Sequence, residues 1–100
     1  MARTVQYVFR GVTFEWDSGK AASNVSKHGV RFERACEVFF DPFVRVIDAA
    51  AEDEARDAAI GYTESQFLLC VVHLTCHEEI IRIVSARRAN QEERTLYEQF

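Results

Sequence analysis

Arg82 stands inside the apolar run Ile80-Ile81-Arg82-Ile83-Val84. An unpaired guanidinium buried there would cost several kcal/mol, so this side chain must reach solvent or hold an anionic partner. It is either the solvated face of an alternating strand, a structural ion pair, or an anion site aimed at a phosphate. Arg56 opens a strand earlier in the chain. If the strand that starts at Phe67 lies between them, side chains of one face converge over a groove. Two planar guanidinium groups offer paired donors to the charge that grows on a phosphate oxygen during transesterification. Beside Glu54 and Asp57, Arg56 also reads as a simple solvated charge.

Lys27-His28-Gly29 reads as a helix end. Cations there are stabilised by the negative end of the helix dipole by roughly 0.3–1 kcal/mol, which is a purely structural role. Histidine side chains also titrate near neutral pH, so His28 is a candidate proton carrier between a 2′-hydroxyl and a leaving 5′-oxygen. Cys70, His73, Cys76 and His77 suggest zinc by residue type but not by geometry. On an extended strand Cys70 and Cys76 point one way and His73 the other, whereas a tetrahedral site needs convergent ligands. These cysteines read better as small core residues. No cysteine sits at a glycine turn or a helix start, where its thiol would be activated. The 4 glycines include no adjacent pair, which excludes a glycine-rich phosphate loop.

The elements that would hold these residues are legible from period and punctuation. Val8 to Trp16, rich in β-branched and aromatic residues, predicts a strand or strand pair around Gly11. Asp17 predicts an N-cap, Ala21, Ala22 and Val25 a narrow apolar stripe, and Gly29 a left-handed stop. Phe32, Ala35, Cys36, Phe39 and Phe40 follow helical spacing and predict one amphipathic helix, closed by Asp41-Pro42. Phe43 to Ile47 predicts a strand, and Ala49 to Ala55 a loop or short helical turn. Three strands follow, at Arg56 to Tyr62, Phe67 to Thr75 and Glu79 to Ser85, joined by connections short enough for antiparallel hairpins. Asn90, with Glu93 three residues on, predicts a capping box and a last helix with Leu96, Tyr97 and Phe100 inward. The expected fold class is α+β: one antiparallel sheet of about four to six strands, packed with two N-terminal helices and one C-terminal helix.

The 100 residues predict a single domain. No apolar run approaches membrane-span length, and no long apolar run follows the basic residue near Met1, so the expectation is a soluble cytoplasmic protein. Three cysteines, an odd number, argue for reduced thiols over a disulfide framework. The net charge of −4 predicts weak overall attraction to nucleic acid. The acids, however, concentrate in Glu52-Asp53-Glu54, Glu78-Glu79 and Glu92-Glu93, while Arg82, Arg87, Arg88 and Arg94 cluster elsewhere.

Phe14-Glu15-Trp16-Asp17, Lys20-Ala21, Asn24 and Lys27-His28-Gly29-Val30-Arg31-Phe32-Glu33 together resemble the opening of the BrnT toxin family. So do Ala35, Val38-Phe39, Asp41-Pro42, Ile60-Gly61, the stretch Ile80 to Ala89, and Glu93-Arg94 with Tyr97-Glu98. The resemblance runs from about Phe14 to Glu98. It implies a compact RelE-like fold and a ribonuclease that arrests translation with no metal or other cofactor. It also implies a BrnA-like antitoxin with a ribbon-helix-helix domain, so that DNA is met only through that partner and no membrane is involved. Carried over by position, Arg56 and Arg82 are the phosphate and transition-state stabilisers. Lys27, His28 and Tyr97 are candidates for proton transfer or substrate contact, and Arg87 and Arg88 for RNA binding. Ser18-Gly19 stands where the family commonly has a proline, and Asp57-Ala58-Ala59 where larger residues are usual. A partner-binding co-repressor of weak or no catalytic activity is the alternative.

Overall fold

The structure is a computed structural model that describes residues 2–49 and 55–99. The chain opens with a hairpin of β1 (Thr4–Phe9) and β2 (Val12–Asp17). Its two-residue turn is Arg10-Gly11, with φ of 51° and 81°. Two positive φ values give the tight turn whose twist matches the flanking strands, and Gly11 makes the second one cheap.

Helix α1 (Ser18–His28) begins where Asp17 accepts a hydrogen bond from Lys20 N at 2.9 Å and ends at Gly29, φ 70°, as the caps predict. Its inner face differs from the expected stripe. Val25 is exposed, and the residue it buries is Asn24. The reason is where α1 lies: it runs beside the edge of a strand, which requires hydrogen bonds as well as apolar contact. The predicted second amphipathic helix is also corrected. It is α2 (Phe32–Ala35) followed by a 3-10 turn over Cys36–Phe40. Phe32, Ala35 and Cys36 are buried as that pattern predicts, but Val38, outside it, is buried in full while Phe39 and Phe40 are half-buried, because the tighter 3-10 turn shifts the last residues out of α-helical phase.

Strands β3 (Arg45–Asp48), β4 (Asp57–Tyr62), β5 (Leu68–Thr75) and β6 (Ile81–Arg88) follow, then α3 (Gln91–Glu98). The sheet has 6 strands in the order β1-β2-β6-β5-β4-β3. It is mixed, which corrects the expectation of an antiparallel sheet. Phe14 and Glu15 of β2 pair in parallel with Ile81 and Arg82 of β6. The meander sets the direction of β6, and β6 then fills the place beside β2. The predicted acidic cluster Glu52-Asp53-Glu54, most of the predicted 49–55 loop, and Phe100 lie outside the described residues.

Two cores flank the sheet. On one side Phe14, Trp16, Leu69, Val71, Ile83 and Ala86 pack against Phe32, Ala35 and Val38. On the other, Ala58, Ile60, Leu68 and Cys70 pack against Tyr97 and Leu96 of α3. Among the described residues no helix is long and apolar enough to cross a membrane.

Candidate functional site

Arg82 and Glu15 face each other across the parallel β2–β6 pair, and their side chains meet at 2.6 Å. Arg82 is therefore not an isolated cation. The Cys76 thiol lies 4.0 Å from the same carboxylate oxygen. The side chains of Arg82 and Glu15 keep 31% and 15% of their surface open, so the pair is desolvated in part and still reachable.

Arg56 directly precedes β4, and its carbonyl accepts from Ala49 N at 2.9 Å. The pairing Asp57↔His73 makes Leu74 the residue opposite position 56, and Leu74 pairs with Arg82. Strand alternation thus puts Arg56, Leu74, Arg82 and Glu15 in one row on the α3 side of the sheet. With strands about 4.8 Å apart, the backbones at 56 and 82 are roughly 10 Å apart.

Arg87 joins the same face through an irregularity that period-2 reading misses. Val72 pairs with Ser85 but His73 pairs with Ile83, so Val84 is an extra residue on β6. The bulge reverses the alternation. Arg82 and Arg87, an odd number of positions apart, consequently share a side, and Arg88 turns to the other. Arg87 holds both carboxylate oxygens of Glu93 at 2.7 Å. That bidentate bond holds the Glu93 carboxyl below its ordinary range and raises the Arg87 guanidinium further.

Tyr97 is buried, and its hydroxyl donates to Asp41 Oδ2 at 2.6 Å. Burial and the Asp41 carboxylate push the phenol well above its usual value. Burial would also raise Asp41, but hydrogen bonds from Tyr97, Tyr62 N and Phe43 N outweigh it and hold the carboxyl low. The tyrosine therefore ties α3 to the end of the 3-10 turn.

Lys27, His28 and Arg88 lie apart from this row, on the α1 side. Lys27 and His28 line a groove of about 430 Å³ with Lys20, Val84 and Ser85. His28 also lines a second cleft of about 530 Å³ with Arg31, Arg34, Phe67 and Arg88. The Arg88 guanidinium sits 4.3 Å from the centre of the Phe67 ring. The residues singled out in the sequence thus fall into two groups, Arg56, Arg82, Arg87 and Tyr97 on one side and Lys27, His28 and Arg88 on the other.

Cys70 packs under Tyr97, while His73 packs edge-on against Phe39 across the sheet. Burial raises Cys70 and Cys36 to about 12, far from a reactive thiolate. Sequence reasoning passed over Glu15, Arg31, Arg34 and Phe67. Glu15 carried a usable signal, since it is the one carboxylate between the inward aromatic residues Phe14 and Trp16.

The described residues thus form a small mixed-sheet α+β domain with Arg56, Arg82 and Arg87 on one face and a basic cleft on the other. A family model for the ribonuclease toxin, BrnT, of type II toxin-antitoxin systems matches residues 16–93, and the chain belongs to that family. The crystal structure of the Brucella abortus ribonuclease toxin BrnT is similar, with 28% sequence identity and a TM-score of 0.63. The match covers 76% of this chain and 94% of that one. No curated protein matches. Strand β1 and the first four residues of β2, Glu15 included, precede the residues matched by the family model.

Proposed function

We propose that this chain is an endoribonuclease whose reaction centre is the Glu15–Arg82 pair on the α3 side of the sheet. The reading rests on one observation: a partly open carboxylate and guanidinium in contact at 2.6 Å, with Arg56 in the same row. Cleavage is transesterification. The 2′-oxygen of the substrate attacks the adjacent phosphorus and its proton passes to the Glu15 carboxylate. Arg82 and Arg56 bear the charge that develops on the non-bridging oxygens. The bond from phosphorus to the 5′-oxygen breaks, and that oxygen takes a proton from solvent. The products are a 2′,3′-cyclic phosphate and a 5′-hydroxyl. Charge stabilisation and proton transfer come from side chains, so a chelator should leave the rate unchanged. In a cell the activity arrests translation in the cytoplasm, and a BrnA-like ribbon-helix-helix antitoxin relieves it and carries the complex to DNA.

In a fluorescent-RNA cleavage assay, Arg82→Ala should lower the rate about 10²–10³-fold, the usual effect of removing one charge-stabilising donor. Glu15→Gln keeps a hydrogen-bonding group beside Arg82 and should lower it about 10²-fold through loss of the base. Unaltered cleavage in both variants, at wild-type melting temperature, would remove the pair from the mechanism. The closed ion pairs Arg82–Glu15 and Arg87–Glu93 favour a second reading, a co-repressor without catalysis. Tight antitoxin binding with no RNA cleavage by the wild-type chain would establish it instead.

A further inference from the structure

The cleft between the end of α1 and the start of β5 has a composition unlike the rest of this acidic chain. Arg31, Arg34, Arg88 and His28 line it, and among the described residues no carboxylate does. Arg31 keeps a loose contact with Glu33 at 3.9 Å, and Arg34 donates a hydrogen bond to the buried Glu37 carboxylate at 3.2 Å. Both arginine side chains stay largely open, at 71% and 61%. Arg88 is held differently, with its guanidinium carbon over the Phe67 ring, and Phe67 is itself 45% exposed. An exposed phenyl ring with a stacked guanidinium is a poor use of surface for stability alone, because large aromatic rings gain most from burial. It is a good platform for a nucleobase, since guanidinium planes and phenyl faces both stack on bases. Arginines around such a platform take the phosphates that flank the base.

We propose that this cleft is a binding subsite for one unpaired nucleotide of the RNA, with the base on Phe67–Arg88 and the flanking phosphates on Arg31 and Arg34. The subsite is on the far side of the sheet from Glu15–Arg82, so it selects and retains the strand without touching the scissile bond. The groove lined by Lys20, Lys27 and His28 opens beside Val84 and Ser85, at the β6 bulge. It shares His28 with the cleft and gives the strand a route around the edge of β6 on which Lys20 and Lys27 outnumber the one carboxylate among the described residues, Asp17, whose side chain is taken up in capping α1. This inference rests on the ribonuclease reading but not on the identity of the catalytic pair.

The test uses the whole chain and a 5′-fluorescein-labelled RNA twelve-mer with 2′-O-methyl groups throughout, which cannot be cleaved through its 2′-oxygens. Fluorescence anisotropy gives the affinity. Phe67→Ala should weaken binding roughly 5- to 150-fold, the usual worth of one stacked base. Phe67→Tyr, which keeps the ring, should bind as wild type. Arg31→Ala and Arg34→Ala should each flatten the dependence of log affinity on log salt by about 0.7, as expected for one lost phosphate contact to a single strand, while Arg88→Ala should weaken binding as Phe67→Ala does, through the lost stacking partner. Unchanged affinity and unchanged salt slope in all four alanine variants would overturn the proposal. So would loss of affinity for a purified antitoxin with RNA binding intact, which would make the cleft a protein interface. Failure of the catalytic reading shows separately: Glu15→Gln and Arg82→Ala would then cleave normally while the cleft variants still lose RNA.

Discussion

Asn24 carries more of the fold than its position on a polar helix suggests. Its amide donates to Val30 O at 2.9 Å and to Ala86 O at 2.8 Å, and its oxygen accepts from Ala86 N at 3.0 Å. Strand β6 pairs with β2 only near Ile81 and Arg82, so further along that edge α1 replaces a strand and Asn24 completes the ladder. Asn24→Ala leaves two carbonyls and one amide without partners in a site only 5% exposed. The expected loss is about 2–4 kcal/mol, read as a lower urea midpoint with unchanged slope. A loss under half a kcal/mol would mean that water takes over these bonds. Tyr97 is the second test at this scale. Its hydroxyl is committed to Asp41, so Tyr97→Phe should cost about 1–2 kcal/mol of stability and leave RNA cleavage within a few-fold of wild type. A drop in cleavage of a hundredfold at unchanged stability would instead make this phenol part of the chemistry.

Between elements, the sharpest constraint is the approach of the 3-10 turn to β4 at Gly61. A Cβ there would lie 3.0 Å from Val38 O, 3.2 Å from Val38 Cβ and 3.3 Å from Val44. Two of those atoms belong to the backbone or sit directly on it, so they yield little. Gly61→Ala should therefore destabilise by about 1–3 kcal/mol, with Asp41 and the residues it binds displaced along with the turn. A melting curve equal to wild type would show that the turn has room to move. The elements themselves were largely legible: caps at Asp17, Gly29 and Asn90 fall where side-chain chemistry requires them. Three features were not. The bulge at Val84 has no sequence signature, and without it Arg87 and Arg82 fall on opposite faces. The parallel contact of β2 with β6 joins segments far apart in the chain. The pairing of Arg82 with Glu15 depends on that contact, so the nearest partner of the most conspicuous residue could not be read locally.

At the scale of the whole molecule, a net charge of −4 and a basic surface coexist because the cations are sorted. Lys20, Lys27, Arg31, Arg34 and Arg88 share the α1 side, with Arg31 and Arg34 largely open beside Glu33 and Glu37, whereas Arg82 and Arg87 are more deeply paired with carboxylates within the fold. The neutralising groups also make stability depend on pH in a definite direction. Burial holds His73 below its ordinary 6.5, although the Val71 carbonyl and Asp57 oppose the shift. The folded state thus prefers the neutral ring, and this stability is present above pH 6.5 and lost as the pH falls through that value. Glu93 and Asp41 are held below their ordinary 4.5 and 3.8, so their contributions are present above those values and disappear in more acidic solution. The melting temperature should be level from neutrality to just below the ordinary thiol value of 9.0, above which the buried Cys36 and Cys70 oppose ionisation, and it should decline gently below pH 6.5 and fall steeply once the two carboxylates protonate. His73→Gln cannot titrate, so it should remove the gentle decline and keep the steep one. If the gentle decline survives in that variant, its source is another group, and the imidazole against Phe39 is a packing element without a charge to exclude.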